Sequence, residues 1–208
     1  MKNVFIAILA IVSCALVYVC FQSIKNPIDF QAEKESREEA IITRLIDIRK
    51  AQAQYKTIKG KHTPSFDELI SFLKNENIPF LLKEGVLTDE QLQSGMTEAE
   101  AVKKGLIKRD TLWVNAKDTL FGKDANVDDL AKVPFSDAKF KMDTATVFTA
   151  SDLPIYVFEC SVLYDQYLHG MDAQEVANLN HHAEVQEKFA GLRVGDLTMA
   201  NNSAGNWE

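Results

Sequence analysis

Residues Val4 to Phe21, VFIAILAIVSCALVYVCF, form an uninterrupted run of eighteen with no charge and nothing more polar than Ser13 and two thiols. Only a helix or a closed barrel satisfies its own backbone inside hydrocarbon, and one short segment cannot make a barrel. As a helix the run reaches roughly 27 Å, just enough to cross a hydrocarbon core, and Gln22 to Ile24 add some length. A cleaved signal peptide has a shorter apolar core and a small-residue cleavage site, whereas this run ends in Phe21-Gln22. Ile11-Val12-Ser13-Cys14 satisfies the residue preferences of a lipobox, yet cleavage there would leave Ala15-Leu16-Val17-Tyr18-Val19 directly after the lipidated cysteine, in place of a polar linker. The expectation is a retained anchor over residues 1–25, with lipid as its partner through residues 4–21 and a domain of residues 26–208 beyond the membrane.

Asn26-Pro27 follows at once. Proline removes a helix hydrogen bond and pushes the preceding residue towards extended geometry, so a kink or break is expected there. A helix restarting near Asp29 would place Glu33, Glu35, Glu38 and Glu39 in early turns, where the helix dipole favours acids. Within Glu38–Lys61, the residues Ile41, Leu45, Ile48, Ala51, Tyr55 and Ile58 recur at steps of three and four, and Gly60 marks the end. A second, weaker stripe of Ile42, Ile46 and Ala53 lies roughly 100° around the helix. One face suffices to dock a helix on its own domain; two suggest a helix covered on both sides, by its own sheet and by either a neighbour or local loops, so this stripe is a candidate assembly interface.

Ser65-Phe66-Asp67-Glu68 has the form of a capping box, and the helix it opens is expected to end near Asn75–Pro79. Residues 80–109 read as an insertion, with a second capping box at Thr97-Glu98-Ala99-Glu100 and Gly105 closing that helix. Beyond it, Leu112–Ala116, Thr146–Ala150, Ile155–Tyr164 and Leu192–Val194 are rich in β-branched and aromatic residues and predict strands, with a short helix at Asp172–Leu179. The expected class is α+β, a long amphipathic helix laid across a small antiparallel sheet.

Charge excludes one class of partner. Only Lys2 is charged in residues 1–24, so the remaining 22 basic against 30 acidic side chains leave a net of −8, which repels phosphate backbones; nucleic acid is not an expected partner. Candidate chemistry is sparse. His181-His182-Ala183-Glu184 lacks the i, i+4 spacing with which one helix grips zinc. Cys160 sits mid-strand with no electropositive neighbour and reads as a packed core thiol. Asp124-Ala125-Asn126-Val127-Asp128 matches the first ligand positions of a calcium loop, but Asp129 stands where glycine is needed and Phe135 where a bidentate glutamate is needed. There is no GxSxG, P-loop or GxGxxG. A non-enzymatic chain without cofactor or metal is expected.

The apolar start, the proline after it and a helix ending Ala51-Gln52-Ala53-Gln54-Tyr55 before Gly60-Lys61-His62-Thr63-Pro64 resemble type IV pilins and pseudopilins. The ending Asn201-Asn202-Ser203-Ala204-Gly205-Asn206-Trp207-Glu208 is similar to the Gly-Asn-Trp ending of major pseudopilins of type II secretion. The whole chain also resembles uncharacterised single-span, pseudopilin-like proteins of Bacteroidota, on the helix end, Lys103–Thr111 and the AGNWE tail. The resemblance implies a pilin-like fold and a structural role in an envelope or secretion assembly, with protein partners or further copies of itself. It also implies an inner-membrane protein, single-pass, with its C-terminal domain in the periplasm. It does not extend to prepilin processing, because Met1 to Ala7 holds neither the glycine nor the glutamate of the peptidase motif. The alternative is a membrane-tethered binding module with the helix as a stalk, its ligand or ion held by Asn201, Asn202 and Trp207 in the C-terminal loops.

Overall fold

The computed structural model describes residues 2–85, 95 and 97–208. The chain is α+β, a long N-terminal helix followed by short helices and two small antiparallel sheets. It divides into two compact units, one of Met1–Arg49 with Ala131–Glu208, the other of Lys50–Leu130.

Helix α1 runs Lys2–Lys59, 58 residues, with Pro27 inside it. The expected break is absent. Opening the helix at residue 27 would leave up to four carbonyls and four N–H groups without partners, whereas a proline within a continuous helix forfeits a single bond. Asp29 is therefore no N-cap but an interior residue, paired with Lys25 across the proline at 3.9 Å. The acids expected in early turns instead sit mid-helix, and three of them find partners one turn away. Glu33 accepts from Arg37 at 2.9 Å, Glu38 from Lys34 at 2.9 Å, and Glu35 from Gln31 at 2.7 Å. The helix stops where expected, with the Gly60 N–H donating to Lys56 O at 2.8 Å.

In the first unit, β3 (Lys141–Phe148), β4 (Pro154–Leu163) and β5 (Gly191–Gly195) form an antiparallel sheet in that order. The strand expected at Thr146–Ala150 begins five residues earlier and gives way to a turn at Thr149, whose N–H donates to Leu153 O. Even-numbered residues of β4 point one way: Phe158, Cys160 and Val162 are buried, as are Ile41, Leu45 and Ile48 of α1. Two sets of bonds fasten helix to sheet. Arg37 Nη1 donates to Tyr167 O at 2.9 Å, just beyond β4, and Arg49 Nη1 donates to Ser203 O at 3.3 Å, beyond β5. They are twelve residues apart on α1, roughly 18 Å of helix.

Two short helices, α5 (Tyr164–Tyr167) and α6 (Ala173–Val185), connect β4 to β5. Asp172, expected inside the helix, is its N-cap, accepting from the N–H groups of Gln174 at 2.9 Å and Glu175 at 3.2 Å. Gly195 lies at φ +78°, and a Cβ there would fall 2.0 Å from Phe158 O, so β5 closes on β4 only with glycine at this position.

In the second unit, α2 (Phe66–Asn75) is capped by Ser65, whose Oγ accepts from Glu68 N at 3.4 Å. The reciprocal half of the expected box is rerouted: Glu68 accepts from Thr63 Oγ at 2.6 Å, and Thr63 Oγ in turn accepts from Ser65 N at 3.2 Å. The Thr63 hydroxyl, itself both donor and acceptor, bridges the two ends of the box. Strand β1 (Asn77–Glu84) pairs with β2 (Lys108–Asn115), and α3 (Glu98–Lys103) lies between them. Thr97 and Glu100 make the full capping box. A strand at Asn77–Glu84 is not legible in the sequence: Pro79, a poor strand residue, conceals it, and pairing with β2 outweighs that local preference. Ala116, expected in a strand, opens α4 (Ala116–Phe121) because Asn115 caps it, accepting from Lys117 N at 3.0 Å. The insertion read at residues 80–109 falls partly outside the described residues.

Candidate functional site

Three features among the described residues bear on function: a bare apolar rod, a side stripe, and a tail. The rod comes first. Leu9, Ile11, Val12, Leu16, Val17, Val19 and Phe21 are each 48–70% exposed. Leu16, Val17, Tyr18 and Val19 are consecutive, and at 100° per residue they go right round the helix, so no side is polar. Moving seven such side chains from water to hydrocarbon is worth on the order of 10 kcal/mol. The Ser13 hydroxyl donates to Leu9 O at 2.9 Å and needs no solvent. This is one helix long and apolar enough to cross a membrane, and none of its apolar window is buried by the rest of the chain. Burial begins beyond it, at Phe30.

The side stripe is the sequence-expected interface. Ile42 and Ile46 are half-buried and Ala53 is exposed, while on the core face Ile41, Leu45, Ile48 and Ala51 are wholly buried and Tyr55 and Ile58 half-buried. Ile42 and Ile46 belong to the first unit and Ala53 to the second.

The tail is the third feature. Residues Ala204–Asn206 lie antiparallel along the open edge of β5, with Val194 opposite Gly205. Gly195 N donates to Ala204 O at 2.9 Å and Asn206 N to Arg193 O at 3.0 Å. The Asn206 side chain stands in for a further stretch of strand: its Oδ1 accepts from Arg193 N at 3.0 Å and its Nδ2 donates to Gly191 O at 2.9 Å. The Trp207 ring covers Gly205 so closely that a Cβ there would lie 2.4 Å from it. Glu208 accepts from Arg49 Nη1 at 2.6 Å, and that guanidinium holds its carboxyl below the usual carboxylate range. The Gly205-Asn206-Trp207 motif is thus a fastening built from a gap, an amide and a lid.

Of the residues expected to form a loop site, Asn201 uses its Nδ2 on Ala204 O at 3.4 Å, Trp207 sits on Gly205, and Asn202 is exposed with φ +55°. Asn206, inside the same tail motif, is the residue whose side chain fastens the tail to β5, a role its neighbours in sequence do not reveal. His181, His182 and Glu184 are exposed on α6. Cys160 is fully buried, and burial pushes its thiol well up. In the acidic turn, Asp128 pairs with Lys74 and its N–H donates to Asn126 Oδ1 at 3.0 Å.

Nothing in the sequence marked one further cluster. The Tyr167 ring is fully buried, its hydroxyl donates to Glu38 Oε1 at 2.7 Å, and Lys34 holds the other carboxylate oxygen at 2.9 Å. Burial first, and then the bond to Glu38, raise the phenol far above its ordinary range, so it stays a donor. Family models, curated proteins and solved structures were all compared with the chain, and none matches.

Proposed function

We propose that this chain is a non-enzymatic, membrane-anchored structural subunit of an envelope or secretion assembly, pseudopilin-like in form, with its domain on the periplasmic side of the inner membrane. One observation carries the reading. The same unbroken helix is bare and apolar at its start and, from Ile41 to Ile48, wholly buried along one face of a domain. A helix that merely tethered a domain would work equally well through a flexible linker. A continuous one transmits the position of the domain to the span and back, which is what a packed array of subunits requires. Helix association in the bilayer would use small side chains such as Ala10, Ser13 and Ala15, and the Ile42–Ile46 stripe would serve beyond it. The tethered binding module has less support, because the Asn201 amide and the Trp207 ring are engaged in folding the tail.

The test is a pair of charge substitutions, Ile42→Lys with Ile46→Lys, in the full chain in its own membranes. The assembly reading expects a melting temperature close to that of the parent and loss of co-purifying complexes. Unchanged complexes, or loss of a bound ligand only when Asn201, Asn202 and Trp207 are replaced, would reject it.

A further inference from the structure

The turn that brings the tail back to β5 is built against one of its own residue types. Ala204 N donates to Asn201 O at 3.1 Å, and both central residues are left-handed, Asn202 at φ +55° and Ser203 at φ +57°. That geometry strongly prefers glycine at its second central position, where this chain has serine. Beyond the turn, the groups that hold the tail are Gly191, Arg193 and Gly195 of the β5 edge together with Arg49 of α1. Every copy of the chain offers that same set. A tail delivered from a neighbour makes the same bonds, and its turn can open and lose the left-handed pair. Strained hinge loops of this kind favour exchange between protomers. Tethering in one membrane adds to this, since it turns encounter between copies into a two-dimensional search at high effective concentration.

We propose that the assembled form exchanges tails: residues Asn201–Glu208 of one subunit complete the sheet of the next. The inference rests on the assembly reading above and names the partner at one surface, the β5 edge of a second copy.

The test uses the full-length protein in membranes with Cys14→Ala and Cys20→Ala, leaving only buried Cys160. One tagged copy carries Arg49→Cys and a differently tagged copy Glu208→Cys, at facing side chains 29% and 43% exposed, and the backbone bonds of Gly195 and Arg193 to the tail remain to seat it. A short bis-maleimide is added to the co-expressed pair. Exchange gives a mixed-tag dimer, and Ser203→Gly, which makes the closed turn comfortable, lowers its yield about tenfold, the ratio that one left-handed residue implies. Exchange is overturned if the two cysteines placed in one chain link only within that chain and the mixed pair gives no dimer. A parallel Ile42→Cys copy separates the two ideas. Links between Ile42→Cys copies without any 49–208 dimer reject exchange and leave the assembly reading standing, and loss of both rejects both.

Discussion

Gln52 is the side chain whose removal tests the packing logic most directly. It is wholly buried on α1, where a glutamine is unexpected, and its amide clamps the loop after the helix. Nε2 donates to Thr63 O at 2.6 Å, and Oε1 accepts from Thr63 N at 3.2 Å. Thr63 is 2% exposed, so no water is at hand to replace either bond. Gln52→Leu keeps the volume approximately and strands one buried N–H and one buried carbonyl, at about 1–3 kcal/mol each. Better burial of the leucine offsets part of this, and a net loss of roughly 3 kcal/mol is expected. For a chain of this size that corresponds to a fall of about 6–12 °C in melting temperature. The measurement is a thermal melt of the detergent-solubilised full chain, with hydrogen exchange at the Thr63 amide as a local reporter. Exchange there should accelerate by about two orders of magnitude. A melt within 1 °C of the parent together with an unchanged Thr63 amide would show that the clamp does not hold the loop, and the reasoning from buried polar groups would fail.

Other expectations follow the same physics. His62 is 7% exposed, and burial, with Lys56 nearby, pushes its imidazole down to about 4 from 6.5. The unfolded chain therefore binds a proton below pH 6.5 that the folded one refuses until about pH 4, so stability should fall across that window as pH drops, by about 3 kcal/mol at most. His62→Gln should flatten that part of a pH series of melts. Gly195→Ala forces a Cβ to 2.0 Å from Phe158 O at a left-handed residue, and should destabilise by at least about 3 kcal/mol, read as early proteolysis of the β4–β5 pair. Tyr167→Phe leaves Glu38 paired with Lys34 alone, and should lower stability by about 1.5–3 kcal/mol, with less of the loss in Tyr167→Phe/Glu38→Gln than the two single changes would sum to.

Local sequence pattern alone determined a good deal of this protein. The apolar start of α1, its buried face, the stop at Gly60, the second capping box and the strands around Ile155–Tyr164 and Leu192–Val194 were legible, because each rests on neighbours within a turn or on β-branched and aromatic content. What escaped rests on partners far along the chain. Strand β1 exists because β2 pairs with it, which a window around Pro79 cannot register. Gln52 is buried because Thr63 meets it, and Glu38 is held by Tyr167, 129 residues away. Pro27 was read locally as a kink or break, and the tertiary structure carries the helix through it without a break, since one missing bond disturbs a long helix less than two uncapped ends. The tail shows the division most clearly: its motif is plain in the sequence, but only the folded chain assigns Gly205 to the ring of Trp207, Asn206 to the edge of β5 and Glu208 to Arg49. Local preferences are properties of adjacent residues, whereas a sheet edge and the segment that closes it are brought together only when the whole core forms.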